Sequence, residues 1–475
     1  LALPEGSIPN ADYLINTDKT TDRIIVAAFQ NAGYCPGPYE KPSATKWYYE
    51  KVINGVELPL QGDSLGVKVW RELLTGTKSG DSCLTFHMIS KLAIFIIQSN
   101  RQVKKAMQLT YSHVFLDEFQ DTTDLQYELV RSCFIDSECN LTAVGDNKQR
   151  IMLWAGARKT VFKDFYNEFC AEGRRLIMNH RSAPRLVELQ KLMYEALRDT
   201  KGKVEASDKW NKEDGDIQLL ISENEIVERR WMIESISDQF KNGLSPNEIC
   251  ILCKQKPADY TEDLIRELAI NGINARVENE YQDLLKEPIV ILILSIMKLA
   301  MNRRLPDEWE YVLEETGSLK GNGTYNGTED FYYEIQKGLS RLLQHCKDIM
   351  LDGDDTDRCK EIIEEIVSFY GKDSIKAHYV VYAQGNYLRD VVKKFMALFK
   401  DELIKTGYKW SDAVEAFEGI NSIHIMTIHK SKGLEYSAVY FIGLEDSAFW
   451  NFKNQPEEDR CAFFVALSRA KQYIA

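Results

Sequence analysis

Short apolar segments alternate with longer amphipathic ones along the first half of the chain. Helical spacing of apolar residues covers 21–32 and 86–107, and a four-residue apolar run at 113–116 follows the second of these. Runs at 141–144, 176–178, 217–221 and 249–253 are short, apolar and bounded by polar or turn residues, as buried strands are. The last of them leads into an amphipathic helix over 259–271, capped by Gly272, and 273–277 reads as a further strand. Such alternation predicts an α/β protein of parallel sheets flanked by helices. From 305 to 420 the pattern is helical and polar without clear strands, which reads as a helical insertion. Strand character returns at 423–427 and 438–442, and 459–471 reads as a closing helix. No internal repeat is visible.

Composition narrows this picture. A length of 475 residues allows two to four domains, and 44% hydrophobic with 28% charged residues describes an ordinary globular protein. The longest strongly apolar run, 289–297, is too short to span a bilayer, so no membrane role is expected. No N-terminal signal pattern is visible. The chain begins with Leu1, and Ala475 interrupts an apparent strand, so both ends read as truncations. A net charge of −13 argues against a generally basic nucleic-acid coat, yet a local basic groove needs only a few placed cations. Ten scattered cysteines fit a reducing cytosol. Cys250 and Cys253 form the only close pair. Residues three apart in a strand face opposite sides, so zinc or redox chemistry is not expected there.

Several motif-like stretches carry no function. Asp352-Gly-Asp-Asp-Thr-Asp357 begins like a calcium loop, but its sixth position is Asp357 rather than glycine and its twelfth is Ile363. Asn322-Gly-Thr324 and Asn326-Gly-Thr328 match a glycosylation pattern without any sign of secretion and read as loop. Gly76-Thr-Lys-Ser-Gly80 has the composition of a phosphate loop in the wrong order.

The informative stretch is Leu116-Asp-Glu-Phe-Gln-Asp-Thr122, followed by Val144-Gly-Asp-Asn-Lys-Gln-Arg150. An aspartate ending a strand can hold Mg²⁺ across nucleotide phosphates, and an adjacent glutamate can orient and deprotonate a water. Asp117 and Glu118 fit these roles, with Gln149 as a sensor of the terminal phosphate. No G-x-x-x-x-G-K-[ST] loop occurs in the 475 residues, so half of a phosphate site is missing from them.

These residues resemble the UvrD/Rep/PcrA group of superfamily 1 DNA helicases. Asp117 to Thr122 is similar to motif II of that group and Gly145 to Ala157 to motif III. Leu176-Ile-Met-Asn-His-Arg-Ser182 resembles motif IV, and Ile425-Met-Thr-Ile-His-Lys-Ser-Lys-Gly-Leu-Glu435 resembles motif V. Glu457 to Lys471 resembles motif VI. Five motifs in order cover the chain from about residue 86 to its end.

The resemblance implies two RecA-like domains with helical insertions, ATP and Mg²⁺ as cofactors, and 3′→5′ helicase activity on single-stranded DNA and single-strand/duplex junctions. By analogy Asp117 is the Mg²⁺ ligand, Glu118 the general base and Gln149 the phosphate sensor. Arg181 and Arg469 reach the γ-phosphate, and Glu435 lies near the nucleotide. Trp154 stacks on a base of the DNA and His429 lies close to it. Residues 1–85 then correspond to domain 1B, 86–175 to the C-terminal part of domain 1A, and 176–304 with 421–475 to domain 2A. Residues 305–420 correspond to domain 2B, through which repair or replication proteins would be bound. A cytoplasmic, nucleoid-associated protein of a bacterium or phage is expected.

Departures from the pattern matter. Motif III of the group usually has Tyr where Met152 stands and Arg where Ala155 stands, and motif IV commonly has Tyr in place of His180. One stacking platform and one positive charge are lost from the DNA side. Because the glutamine motif and Walker A precede the region matched by residues 1–85, the native protein is expected to continue upstream. The 475 residues alone should bind nucleotide poorly and not unwind DNA. Other readings are a helicase–nuclease of RecB/AddA type, with a nuclease after Ala475, and a non-catalytic helicase-like DNA-binding subunit.

Overall fold

The computed structural model describes residues 14–15, 19–37, 41–76, 82–199, 202–321, 329–351, 355–383, 385–445, 447–449 and 452–475. Both Asn-Gly-Thr sites, the stretch 77–80 and the start of the acidic 352–357 run lie outside these. The chain divides into two compact units, Leu1–Arg174 and Arg175–Ala475. Its strands in chain order are β1 (Leu14–Ile15), β2 (Cys83–Leu84), β3 (His113–Leu116), β4 (Asn140–Ala143), β5 (Met178–Asn179), β6 (Glu205–Ala206), β7 (Asp216–Ile217), β8 (Ile249–Cys253), β9 (Ala275–Val277), β10 (Ile423–Thr427), β11 (Tyr436–Phe441) and β12 (Ala470–Ile474).

In the first unit the helices Lys19–Asn31, Pro42–Asn54 and Leu65–Thr75 pack around Phe29, Ile53, Trp70 and Leu73. Trp70 is fully buried, and its indole N–H donates to the Ile53 carbonyl at 2.9 Å, which satisfies the one polar atom it brings inside. The segment expected to be helical over 86–107 forms two helices, Phe86–Ser99 and Arg101–Thr110. Asn100 divides them: its side chain accepts from the N–H groups of Gln102 and Val103 and so caps the second helix. β3 and β4 pair in parallel, His113 opposite Asn140 and Leu116 opposite Ala143. One face of this pair, including Leu116, Leu141 and Ala143, packs on the cluster of Phe119, Tyr127, Val161 and Phe165. The other face carries Phe115, 72% exposed.

The second unit is built on a six-stranded, wholly parallel sheet of order β7-β12-β11-β8-β10-β9. β8 and β11 are buried along their whole length, as continuous apolar strands at the centre of a sheet covered on both faces must be. The Cys250 and Cys253 thiols are buried there, and desolvation pushes that of Cys253 up to about 12, which leaves it inert at neutral pH.

Between β9 and β10 the chain builds a helical layer. Its core is the apolar helix Pro288–Met301, against which Leu339, Ile363, Phe395 and Phe417 pack. The helical core therefore begins before the boundary expected near 305. Arg276, on β9, ties this layer to the sheet. Its Nη1 donates to the Ala416 and Phe417 carbonyls at the end of the helix Trp410–Glu418, while its Nε donates to Glu278 at 2.6 Å.

Further expected elements differ, among them the strand expected over 176–178, which is Met178–Asn179 and leaves Leu176 exposed. The helix expected over 459–471 is Pro456–Leu467, and the chain then turns at Ser468 and Arg469 into β12. The strand expected over 217–221 stops at Ile217, and Leu219 and Ile221 stand exposed.

Candidate functional site

β3 delivers Asp117 and Glu118 at its C-terminal end, both exposed. Glu118 sits at φ 49°, in the left-handed region that costs a non-glycine residue free energy and clusters at functional sites. The Asp117 carboxylate accepts the Glu118 N–H at 2.8 Å. Gln120, fully buried, fixes the arrangement: its Nε2 donates to Glu118 Oε2 at 2.6 Å and its Oε1 accepts the Asp146 N–H at 2.9 Å. Gly145 makes this approach possible, since a Cβ there would lie 2.2 Å from Gln120 Oε1 and 3.0 Å from the Phe119 nitrogen. The acid-bearing loop after β3 and the Gly-Asp loop after β4 are thereby locked together.

Asp146 caps the next turn. It accepts the Lys148 N–H at 3.0 Å and pairs with the Lys148 ammonium at 2.8 Å, and Gln149 Nε2 donates to its other oxygen at 3.4 Å. Gln149 thus lies beside the Asp146 carboxylate. The following loop is pinned by Arg150, whose Nη1 donates to the Lys159 carbonyl, and by a bridge between Thr123 and Ala157. It presents Trp154 with 70% of its surface exposed. An aromatic side chain this exposed contributes little to the core.

In the second unit, Arg181 follows β5 in a loop held against β12. Its Nε donates to Glu435 Oε2 at 2.7 Å and its Nη1 to the Ser468 carbonyl at 2.9 Å. The other Glu435 oxygen pairs with Lys471 at 3.0 Å. Arg181 foremost, then Lys471, holds the Glu435 carboxyl below the usual glutamate range. Arg469 is 1% exposed and turned inward: its Nε donates to the Val465 carbonyl, its Nη1 to that of Leu434 and its Nη2 to Ser468 Oγ. His429 is exposed on the turn after β10, which Ser431 stabilises by donating to the Ile428 carbonyl at 2.8 Å.

The structure therefore places Asp117, Glu118 and Gln149 on neighbouring loops of one unit. It gathers Arg181, Glu435 and Lys471 at one cluster of the other, with Arg469 buried beside Ser468. Sequence reasoning assigned nothing to Gln120 or Lys471, although both stand inside the quoted motifs. A cavity of about 690 Å³ in the second unit, lined by Glu228, Tyr260, Phe441 and Glu445 among others, includes none of the predicted residues.

Asp117 offers a hard carboxylate oxygen, the donor class that Mg²⁺ takes. Among the described residues no group of three His, Cys, Asp or Glu could hold a metal unaided. The Asp117 oxygen could fill one ligand position of a Mg²⁺ ion whose other ligands would be phosphate and water oxygens.

Comparison with known proteins places the chain in a family. The model of the UvrD/REP helicase N-terminal domain matches residues 50–170, and that of the UvrD-like helicase C-terminal domain matches 175–352 and 402–475. The chain belongs to the UvrD/Rep-like DNA helicase family. Its sheets are accordingly those of RecA-like P-loop folds.

A probable DNA helicase II homolog of Mycoplasma capricolum is 24% identical over 470 residues, covering 90% of this chain and 64% of its own length. The ATP-dependent DNA helicase Rep of Buchnera aphidicola is 24% identical over 428 residues, covering 80% of this chain and 63% of its own. DNA helicase II of Haemophilus influenzae is 25% identical over 413 residues, covering 77% and 55%. The chain spans less than two-thirds of the length of these relatives. No helix among the described residues is long and apolar enough to cross a membrane.

Proposed function

We propose that these residues form part of an ATP-driven helicase that translocates 3′→5′ on single-stranded DNA and acts at single-strand/duplex junctions. The observation that carries this reading is the strained Glu118 beside Asp117, held by buried Gln120 against the Gly145-Asp146 loop. Strain maintained by a dedicated buried side chain is expected where a carboxylate must be aimed at a reacting water. When bound, Mg²⁺–ATP supplies the phosphoryl group that is attacked. Asp117 holds the ion's protein-side ligand position, Glu118 orients the water and accepts its proton, and Gln149 reports the terminal phosphate.

Arg181 and Arg469 neutralise charge that develops during transfer, an effect of about 10³–10⁵ in rate in related systems. Arg469 has to leave its carbonyl partners to do so, which makes its release a conformational step. Trp154 stacks on a DNA base, and His429 lies close to the DNA. The helical layer offers a surface for repair or replication proteins.

No G-x-x-x-x-G-K-[ST] loop occurs in the 475 residues, and this reading needs such a loop to cradle the phosphates. ATP hydrolysis with and without oligothymidylate, measured on these residues alone and on protein that includes the phosphate loop, tests the reading. DNA-stimulated hydrolysis only in the second supports it. Robust hydrolysis by the 475 residues alone would refute the cradle assignment, and none in either favours a non-catalytic DNA-binding subunit.

A further inference from the structure

Gln190 lies outside every motif quoted above, on the helix Pro184–Ala196, and only 3% of it is exposed. Leu186 and Val187, four and three residues before it, share its buried face. A glutamine on an apolar helix face must find partners for its amide or lose free energy. Its partners lie in the Arg181 loop. Asn179 Nδ2 donates to Gln190 Oε1 at 3.3 Å, and Gln190 Nε2 donates to Ser182 Oγ at 3.1 Å. The Ser182 hydroxyl, fully buried, donates in turn to the Ala470 carbonyl at the start of β12, at 2.8 Å.

The direction of this chain is determined. Asn179 Oδ1 accepts the N–H groups of both Arg181 and Ser182 at 2.9 Å, so its amide nitrogen must face Gln190. That fixes the Gln190 amide, which leaves Ser182 Oγ as an acceptor from Gln190 and its proton for Ala470. The Ala183 N–H adds a parallel bond to the Lys471 carbonyl at 2.8 Å. Asn179 and Ser182 flank Arg181 on either side, and Ala470 and Lys471 follow Arg469. Gln190 thus bridges Asn179 and Ser182 across the turn bearing one arginine, while Ser182 and Ala183 bond that turn directly to the strand that follows the other.

We propose that Gln190 is a positioning residue for Arg181: it sets the turn from which the guanidinium reaches Glu435 and Ser468, and hence where it meets the transferring phosphoryl group. This rests on the reading of Arg181 given above. A displacement of about 1 Å in a charge-stabilising group can lower a rate by about 10²-fold with little effect on ground-state binding. Losing the Gln190 amide should therefore appear in kcat rather than KM.

The test is a double-mutant cycle in single-strand-stimulated ATPase, using the chain extended upstream through the expected phosphate loop. Gln190→Met keeps the volume and removes both hydrogen bonds. It is expected to lower kcat about tenfold, with KM for ATP within about twofold of wild type. Gln190→Leu removes both hydrogen bonds with another uncharged side chain and should also lower kcat; it serves if the methionine variant fails to fold, which thermal unfolding checks. In an Arg181→Ala background either substitution should have no further effect, because nothing remains to be positioned. Additive losses, or wild-type kcat in both Gln190 variants, would overturn the proposal. Should Arg181→Ala itself leave kcat unchanged, the reading of Arg181 fails, and the proposal with it.

Discussion

Glu435 and Arg181, 254 positions apart in sequence, meet with Oε2 and Nε 2.7 Å apart, and the remaining Glu435 oxygen holds Lys471. One carboxylate thus joins groups from three separated motifs of the second unit. Because both cations favour its ionised form, the folded pKa lies below the unfolded one. The stability it contributes is present above the unfolded glutamate value, about 4.3, and is lost as pH falls through the lower folded value. The Tm difference between wild type and Glu435→Gln should accordingly be full at pH 7 and close at acid pH. A difference unchanged between pH 7 and pH 3 would contradict the ion-pair account.

Gly145→Ala tests the lock between the two acidic loops. The new Cβ meets Gln120 Oε1 and the Phe119 backbone nitrogen, and the backbone cannot give way cheaply. A loss of about 1–3 kcal/mol is expected from denaturant unfolding. The exposed Asn147→Ala, in the turn that follows, is the control and should cost much less.

How much of this was legible beforehand varied with the locality of the cause. The β8 strand and the helix Pro257–Ile270 were readable because a continuous apolar run and a 3.6-residue pattern are local signals. The expected helix over 459–471 failed at its end because Ala466 to Ala470 has helix-compatible residues throughout. What ends it is non-local: β12 pairs with β11 and β7, and buried Arg469 satisfies carbonyls at Val465 and Leu434. At the site, the motifs pointed to Asp117, Glu118 and Gln149, and the structure sets these on neighbouring loops of one unit. The bridging role of Gln120, the pairing of Glu435 with Arg181 and the amide chain through Gln190 depend on contacts that spacing does not encode.

Trp154→Ala should leave folding nearly unchanged, because the side chain is mostly exposed. Single-strand affinity should fall by about 1–3 kcal/mol, the usual worth of one stacked base. Fluorescence anisotropy with labelled oligothymidylate checks this. An unchanged Kd would remove Trp154 from the DNA path.

Arg276→Ala breaks a buried ion pair by removing the guanidinium partner of Glu278, whose side chain is only 3% exposed, and leaves that carboxylate facing His424 at 3.8 Å. It also strips the Ala416 and Phe417 carbonyls of a donor. Breaking such a pair typically costs about 3–5 kcal/mol. Chemical unfolding should report a loss of this size, and hydrogen exchange should rise first at the end of the helix Trp410–Glu418. A loss confined to a few tenths of a kcal/mol would mean that the Arg276 bonds do not hold the helical layer to the sheet.

The most direct test of the central claim is Glu118→Gln in DNA-stimulated ATP hydrolysis, with nucleotide binding measured in parallel on protein that carries the phosphate loop. The substitution preserves shape and can still hydrogen-bond Gln120, but it cannot take a proton. Loss of the general base should lower kcat by about 10²–10⁴-fold while ATP binding persists. Hydrolysis at the wild-type rate by the glutamine variant would contradict the assignment of Glu118 and the mechanism built on it.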